Sequence, residues 1–397
     1  MKIITDEQKI EEILTYGVEE IFERDHLKKA LLSGKQLRIK NGIDPTGPNI
    51  HLGRASQFWK LRAFQELGHQ IVLIIGDFTA QIGDASDKDA MRKTLTEKEV
   101  KENMKNYLKQ IGKILDLKKV EVHYNSKWFK KMTVLDFVRL QTIFTAQQTI
   151  QRRNFKERWD GGKPIGLHEL DYPIFQGYDS VMVKADIETG GFDQLFNLQA
   201  GREIQRHFNQ KPQDIITLKM LNGLDGRKMS TSWGNIITIV DEPNDMYGKV
   251  MSMRDEFMDE YVELCVPGKL KPIWLSLIKP KEKKQWLAKE IVTLYHGKKA
   301  AEEAEAEFNS VFGKHELPSD IETFEADKNI YPVLDLLCDS GLAASKNEAK
   351  RLIEQGAIVV IVGENETKVS DWKKELEIED GMIVRRGARQ FKKMILK

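Results

Sequence analysis

Apolar residues near the start of the chain recur at helical spacing: Ile10, Ile13, Leu14, Val18, Ile21 and Phe22 predict a helical lead-in over 6–32. The period then changes. Residues 36–44 read as a short strand, 51–67 return to helical spacing, and Gln70–Ile75 is a nearly unbroken apolar run of the kind buried on both faces of a parallel sheet. Beyond it the pattern predicts helix over 96–116, strand 119–124, helix 133–153, helix 168–180, strand 181–188, helix 193–208 and strand 213–221. Strands alternating with helices over so long a span predict an α/β domain with a doubly wound, parallel, Rossmann-like sheet, here over 1–241. Residues 242–313 read as a mainly helical domain, and 314–330, with Pro318 and several acids, as a linker. The remainder, 331–397, predicts a small α+β unit with helices near 331–339 and 345–354 and strands around 358–362 and 382–384.

Composition narrows the class further. A chain of 397 residues is long enough for two or three domains at a prior of roughly 150 residues each. Sixty-two Lys and Arg against 61 Asp and Glu leave a net charge of +1, with 31% charged and 41% hydrophobic residues, the balance of an ordinary globular protein. The neutral sum hides a basic end: Arg385, Arg386, Arg389, Lys392, Lys393 and Lys397 close the chain with no acid among them. The two cysteines, Cys265 and Cys338, form no CxxC pair, so neither a disulfide framework nor a thiolate zinc site is expected, and no protein-bound structural metal. A reducing cytoplasm fits. The first residues turn acidic before any long apolar run, unlike a signal or transit peptide, and no apolar stretch is long enough for a bilayer, so no membrane partner is expected.

Two segments carry candidate chemistry. The run Asp44-Pro45-Thr46-Gly47-Pro48-Asn49-Ile50-His51-Leu52-Gly53-Arg54 sets a Pro/Gly-rich turn after a strand and places His, Gly and Arg at a helix start. Helix N-termini take phosphate through free N–H groups and the helix dipole, and Gly53 leaves room for close approach of a planar ligand. Taken alone, the segment equally fits a turn with a capping histidine. After the strand at 213–221 comes Gly226-Arg227-Lys228-Met229-Ser230-Thr231-Ser232-Trp233-Gly234-Asn235, small and hydroxyl residues around a lysine. That suits a loop closing on phosphates, or a solvated surface loop. No GxxxxGK[ST] or GxGxxG segment competes for a nucleotide.

In this order, about 180 residues apart on one α/β chain, the two segments resemble the signatures of class I aminoacyl-tRNA synthetases, typically His-Ile-Gly-His and Lys-Met-Ser-Lys-Ser. Asp44-Pro45-Thr46, Ile82-Gly83-Asp84, Tyr172-x-x-x-Gln176-x-x-Asp179 and Gly190-Gly191-x-Asp193-Gln194 narrow the resemblance to tyrosyl-tRNA synthetases, over nearly the whole chain. Tyr172, Gln176 and Asp179 share one helical face, which without the resemblance is equally a solvated polar face. With it, they imply a tyrosine pocket together with Gly42, Asp84 and Gln194: Asp179 accepts from the phenol, Gln176 and Asp84 serve the ammonium. The resemblance implies an ATP site of Asp44, His51, Gly53, Gly191, Asp193, Met220, Leu221, Lys228 and Ser230, with Mg²⁺ travelling on ATP. Thr46, His51, Lys228 and Arg54 are the implied catalytic residues.

The terminal unit resembles a small RNA-binding domain through Ser340-Gly341-Leu342 and the following Lys346, Lys350 and Arg351. With Arg385 and Arg386 these imply contacts to tRNA(Tyr). The resemblance also implies a homodimer, for which Leu135, Phe137, Leu140, Ile143 and Phe144 offer apolar positions that equally suit a core. Three departures stand out. Arg54 replaces the last His of the first signature and Thr231 the second Lys of the other, so that Arg54 or Arg227 is left to compensate. Lys40 stands where one branch of the family has a tyrosine touching the substrate hydroxyl, which leaves that hydroxyl's second partner open. A tryptophan-specific relative and an RNA-binding protein without catalysis are the rival readings. Asp179 and the terminal unit speak against the first, and His51, Lys228, Asp84 and Asp179 against the second.

Overall fold

The computed structural model describes residues 3–84, 94–267, 279–313, 321–363, 365–387 and 390–396. Two compact units form, Met1–Ala304 and Glu305–Lys397. The first is built on a six-stranded sheet: β1 (Val18–Phe22), β2 (Arg38–Ile43), β3 (Gln70–Ile75), β4 (Val120–Tyr124), β5 (Ile187–Gly191) and β6 (Asp214–Leu218), in the order β1-β6-β5-β2-β3-β4. β2 to β6 run parallel, and β1 lies antiparallel on the edge of β6. Every residue of β5 and β6 is buried, their apolar residues together with the charged Glu188 and Asp214, so these carboxylates need partners inside the fold. β2 pairs with both β3 and β5, so the winding direction reverses between β2 and β5; ligands of open α/β sheets bind at such a switch point, beyond the carboxyl ends of the strands.

The helical lead-in is interrupted. Gly17, at φ +63°, follows helix Glu7–Thr15, and Val18–Phe22 pairs with β6 before helix Arg24–Leu32 begins. The spacing of Val18, Ile21 and Phe22 fits either structure, and pairing with a buried strand decided between them. The helix expected at 168–180 runs from Leu167 to Val183, where Lys184 turns to φ +51° and donates back to Ser180 and Val181. The next strand is therefore Ile187–Gly191 instead of 181–188, which delivers Gly190 and Gly191 to the strand end. The helix expected over 133–153 is cut into Val134–Gln141 and Ala146–Ile150, followed by Arg153–Asp160. Thr133 and Thr145 each open a helix with a capping box that satisfies its orphan N–H groups. The stretch 96–116 likewise breaks into Glu97–Met104 and Tyr107–Ile111.

Helices Pro243–Ser252, Met258–Cys265 and Pro280–His296 belong to the first unit. Of the five residues named for a dimer face, Leu140 is buried, and Phe137, Ile143 and Phe144 pack with it against Ile174, Val181 and Ile204. Leu140 is core, and the other three are partly buried against it. Leu135 alone stays outside, 58% exposed beside Val134 at 81% and Val138 at 46%.

The second unit carries helices Val333–Asp339 and Lys346–Glu354 on a five-stranded sheet of β7 (Thr323–Ala326), β9 (Ile358–Val362), β10 (Asn365–Lys368), β12 (Ile383–Arg386) and β13 (Gln390–Leu396), with β8 (Ile330–Pro332) and β11 (Glu375–Glu377) as a separate pair. β7 falls inside the stretch read as linker; its alternating residues found a partner in β13, which pairs with it in parallel. Residues 314–320, including Pro318, lie outside the described residues, as do Arg389 and Lys397. No described helix is long and apolar enough to cross a membrane.

Candidate active site

All the residues named above for tyrosine, ATP and catalysis line one cleft at the switch point. Gly42, Asp44 and Thr46 come from the end of β2, Gly191, Asp193 and Gln194 from the end of β5, and Met220, Leu221, Lys228 and Ser230 from the segment after β6. His51, Gly53 and Arg54 stand at the start of helix Leu52–Glu66, and Tyr172, Gln176 and Asp179 on helix Leu167–Val183. On that second helix Ile174, Phe175, Tyr178 and Val181 face hydrophobic clusters, so the polar triple is the face left for the cleft.

Asp179 sits at the closed end. The indole Nε1–H of Trp128 donates to its Oδ1 at 2.9 Å, and the amide of Asn125 donates to Oδ2 at 3.2 Å. Burial pushes its carboxyl up to about 7, against the field of Lys40 and these two hydrogen bonds. Asn125 also donates to Thr79 at 3.0 Å, and both line the cleft next to Asp179. Lys40, in contrast, is fully buried and spends its three donors on Glu188 at 2.9 Å and on the Gln176 carbonyl and Ser180 hydroxyl at 2.7 Å each. Tyr172 donates to Asp44 at 2.8 Å, and Thr79 holds the other oxygen of that carboxylate at 2.7 Å. Gln194 donates to Asp84 at 2.6 Å, and Arg152 reaches the second Asp84 oxygen at 3.4 Å.

At the open end, Lys228 is bonded to Asp193 at 2.7 Å, tying the loop after β6 to the end of β5. The loop itself is folded over Asn235, whose side chain accepts from Ser230 N–H at 2.9 Å and donates to Asp225 at 2.7 Å. Thr231 reaches the first signature: a Cβ on Gly47 would meet its Cγ2 at 2.8 Å. Arg227 points away, paired with Asp225 and stacked 3.8 Å over Trp233, while Arg54 lines the cleft. The imidazole of His51 is buried, and burial, Arg54 and Lys228 hold it down to about 3, so it is neutral at physiological pH. A Cβ on Gly53, in the first turn of helix Leu52–Glu66, would stand 3.2 Å from the His51 Nδ1, a tight approach to which the imidazole would have to yield.

In the second unit the basic residues are unevenly available. Arg385 is bonded to both oxygens of Glu366 at 2.9 and 3.0 Å, Arg386 to Glu348 at 2.7 Å, and Lys346 to Asp335. Lys350 lies 4.3 Å over Trp372, and Arg351 is exposed on the same helix. The sequence reading passed over Gln57, Thr79, Asn125, Trp128 and Thr189. Gln57 was within reach, one helical turn beyond Gly53 and Arg54 on the same face. Asn125 was too, since it directly follows a parallel strand.

Known proteins match this chain along almost all of it. Residues 32–313 match the family of class I tRNA synthetases (W and Y), and 314–394 the C-terminal domain of Tyrosine--tRNA ligases of the SYY-like type. The chain is 42% identical to the Tyrosine--tRNA ligase of Carboxydothermus hydrogenoformans, with 97% of each chain covered. It is 41% identical to that of Thermotoga maritima, with 98% of this chain and 97% of the relative covered. The fold is that of a C-terminally truncated mitochondrial tyrosyl-tRNA synthetase from Aspergillus nidulans, at a TM-score of 0.63 and 21% identity over 77% of this chain and 94% of the other. A switch-point cleft built from both signature segments, and relatives alike over their full length, have one reading: this chain belongs to the tyrosine–tRNA ligases of class I.

Proposed function

We propose that the cleft activates tyrosine with ATP, giving tyrosyl-adenylate and pyrophosphate, and then passes tyrosine to the terminal ribose of tRNA(Tyr). The observation that carries the assignment of residues is the buried, doubly hydrogen-bonded Asp179 at the closed end, an acceptor suited to a phenol hydroxyl. Asn125 and Thr79, which line the cleft beside it, are our candidates for the hydroxyl's second partner. The substrate carboxylate is ionised at neutral pH and attacks the α-phosphorus without a general base, so the protein's task is positioning and stabilising charge on the phosphate oxygens. Neutral His51 and Thr46 serve there as hydrogen-bond donors and Arg54 as a cation, with Mg²⁺ arriving on ATP as part of the substrate.

Lys228 begins engaged with Asp193. Ribose hydroxyls that donate to Asp193 compete with Lys228 for that acceptor, and Lys228 turns toward the phosphates. In the second unit, Arg351 and Lys350, whose carboxylate partner Glu354 stands at 4.0 Å, are the cations best placed for tRNA phosphates, because Arg385, Arg386 and Lys346 hold their carboxylates more closely. The exposed Val134, Leu135 and Val138 are our candidate face for a homodimer, and the cytoplasm is the compartment we assign to the reaction. Pyrophosphate exchange driven separately by tyrosine, tryptophan and phenylalanine tests the reading. Exchange with tyrosine alone is expected; exchange with tryptophan, or none, refutes it.

A further inference from the structure

Behind the tyrosine wall runs a chain of side-chain amides whose direction is imposed from both ends. Gln176 Nε2 donates to Glu188 at 3.1 Å, and Gln194 Nε2 donates to Asp84 at 2.6 Å. A carboxylate only accepts, so each glutamine must turn its NH₂ toward its acid. Both carbonyl oxygens are thereby turned the other way, toward Asn197, whose NH₂ donates to Gln176 at 3.1 Å and to Gln194 at 2.8 Å. Glu188 holds its end in a fully buried position, its Oε1 2.9 Å from the equally buried Lys40. The two are register partners on β2 and β5, the strands that flank the switch point. Lys40 is the counter-cation of this carboxylate, and its bonds to the Gln176 carbonyl and Ser180 anchor the same helical segment. A buried pair of this kind is weak evidence for stability in itself, since packed apolar residues often do as well.

We propose that Glu188, with Lys40 as its counter-charge, is a positioning residue for amino-acid recognition: it fixes the Gln176 amide so that the carbonyl oxygen, which has a second lone pair beside its bond to Asn197, is the acceptor offered to the substrate's ammonium. Neither side chain lines the cleft. Their effect passes through Gln176, and the inference rests on the reading of that wall as the tyrosine site. With Glu188 replaced by an amide, the Asn197 bond alone holds the Gln176 orientation, and in the fraction that flips, the Gln176 NH₂ meets the ammonium, donor against donor.

Equilibrium dialysis of the full-length protein with three probes separates this role from a structural one. Tyrosine and tyramine carry the ammonium, whereas 3-(4-hydroxyphenyl)propionate keeps the phenol and carboxylate and lacks it. The double variant Lys40→Met/Glu188→Gln removes both charges together and leaves neither buried alone. Glu188→Asp, which keeps the charge pair but withdraws the carboxylate from Gln176, is read with the same probes should the double variant not fold. The expected result is a Kd for tyrosine and tyramine that rises about ten-fold more than that for the propionate, the size of one lost polar contact, a loss common to all three probes being the removal of the Lys40 field from Asp179. Equal losses on all three probes, or none on any, overturn the inference. A wild-type protein that binds neither tyrosine nor tyramine overturns the tyrosine reading of the pocket, and the inference with it.

Discussion

Trp128→Phe keeps an aromatic ring in the core but removes the indole N–H that donates to Asp179 at 2.9 Å. Asp179 starts from a carboxyl that burial has pushed up to about 7, so every hydrogen bond to its anion counts. A hydrogen bond to a charged group contributes roughly 1.5–3 kcal/mol, which at about 1.4 kcal/mol per pKa unit corresponds to a further rise of roughly 1 to 2 units. Below its pKa the group is protonated and accepts a phenol hydrogen bond more weakly, so kcat/KM for tyrosine falls toward acid pH. In the wild type the fall is expected below about pH 7, and in the variant below about 8 to 9. At pH 7 the ionised fraction drops from one half by roughly 5- to 50-fold, and kcat/KM with it. Tyrosine-dependent pyrophosphate exchange between pH 6 and 9.5, at saturating ATP, measures this directly. KM for ATP should stay within about two-fold, because the indole lies at the closed end of the cleft. An acid limb that does not move, or moves down, would falsify the claim that Trp128 sustains the Asp179 anion.

Four further outcomes are expected. Arg54→Ala should slow exchange by about ten-fold or more, as loss of a charge on the transition state does, while Arg227→Ala, whose guanidinium is held by Asp225 and Trp233, leaves it near wild type; the reverse ranking in kcat would assign the compensation to Arg227. Gly47→Ala drives a methyl against the Thr231 Cγ2 and should lower kcat, and Thr231→Ser, which deletes that carbon, should restore it in the double variant; simple additivity of the two changes refutes the contact. Ending the chain at residue 313 should preserve exchange but raise KM for tRNA and flatten its salt dependence, since phosphate contacts are lost; charging at full efficiency by the truncated protein contradicts this. Leu135→Asp with Val138→Asp should shift a dimer to monomer in sedimentation, and unchanged mass would exclude that face.

The sequence alone carried the catalytic fold class in its local pattern, and the resemblance of its motifs implied much of the cleft's lining, though not Gln57, Thr79, Asn125 or Thr189. Alternating periods specify a parallel sheet, and the motifs at strand ends must meet wherever such a sheet reverses its winding. Elements whose local pattern is ambiguous were left to the tertiary structure. Val18–Phe22 became a strand because β6 offered it a partner, and Thr323–Ala326 did so because β13 did. Leu140 and Leu135 are five residues apart with equal hydrophobicity, yet one is core and the other surface, since only packing against Ile174 and Ile204 distinguishes them. Charge is the extreme case. The basic end of the chain presents Arg385 and Arg386 as free cations, and the family resemblance leaves Lys40 as a puzzle beside the substrate. Their roles depend on Glu366, Glu348 and Glu188, brought within hydrogen-bonding distance by strand register and helix packing. A carboxylate's location in space, which no local pattern encodes, decides whether a cation faces solvent, a substrate or the interior.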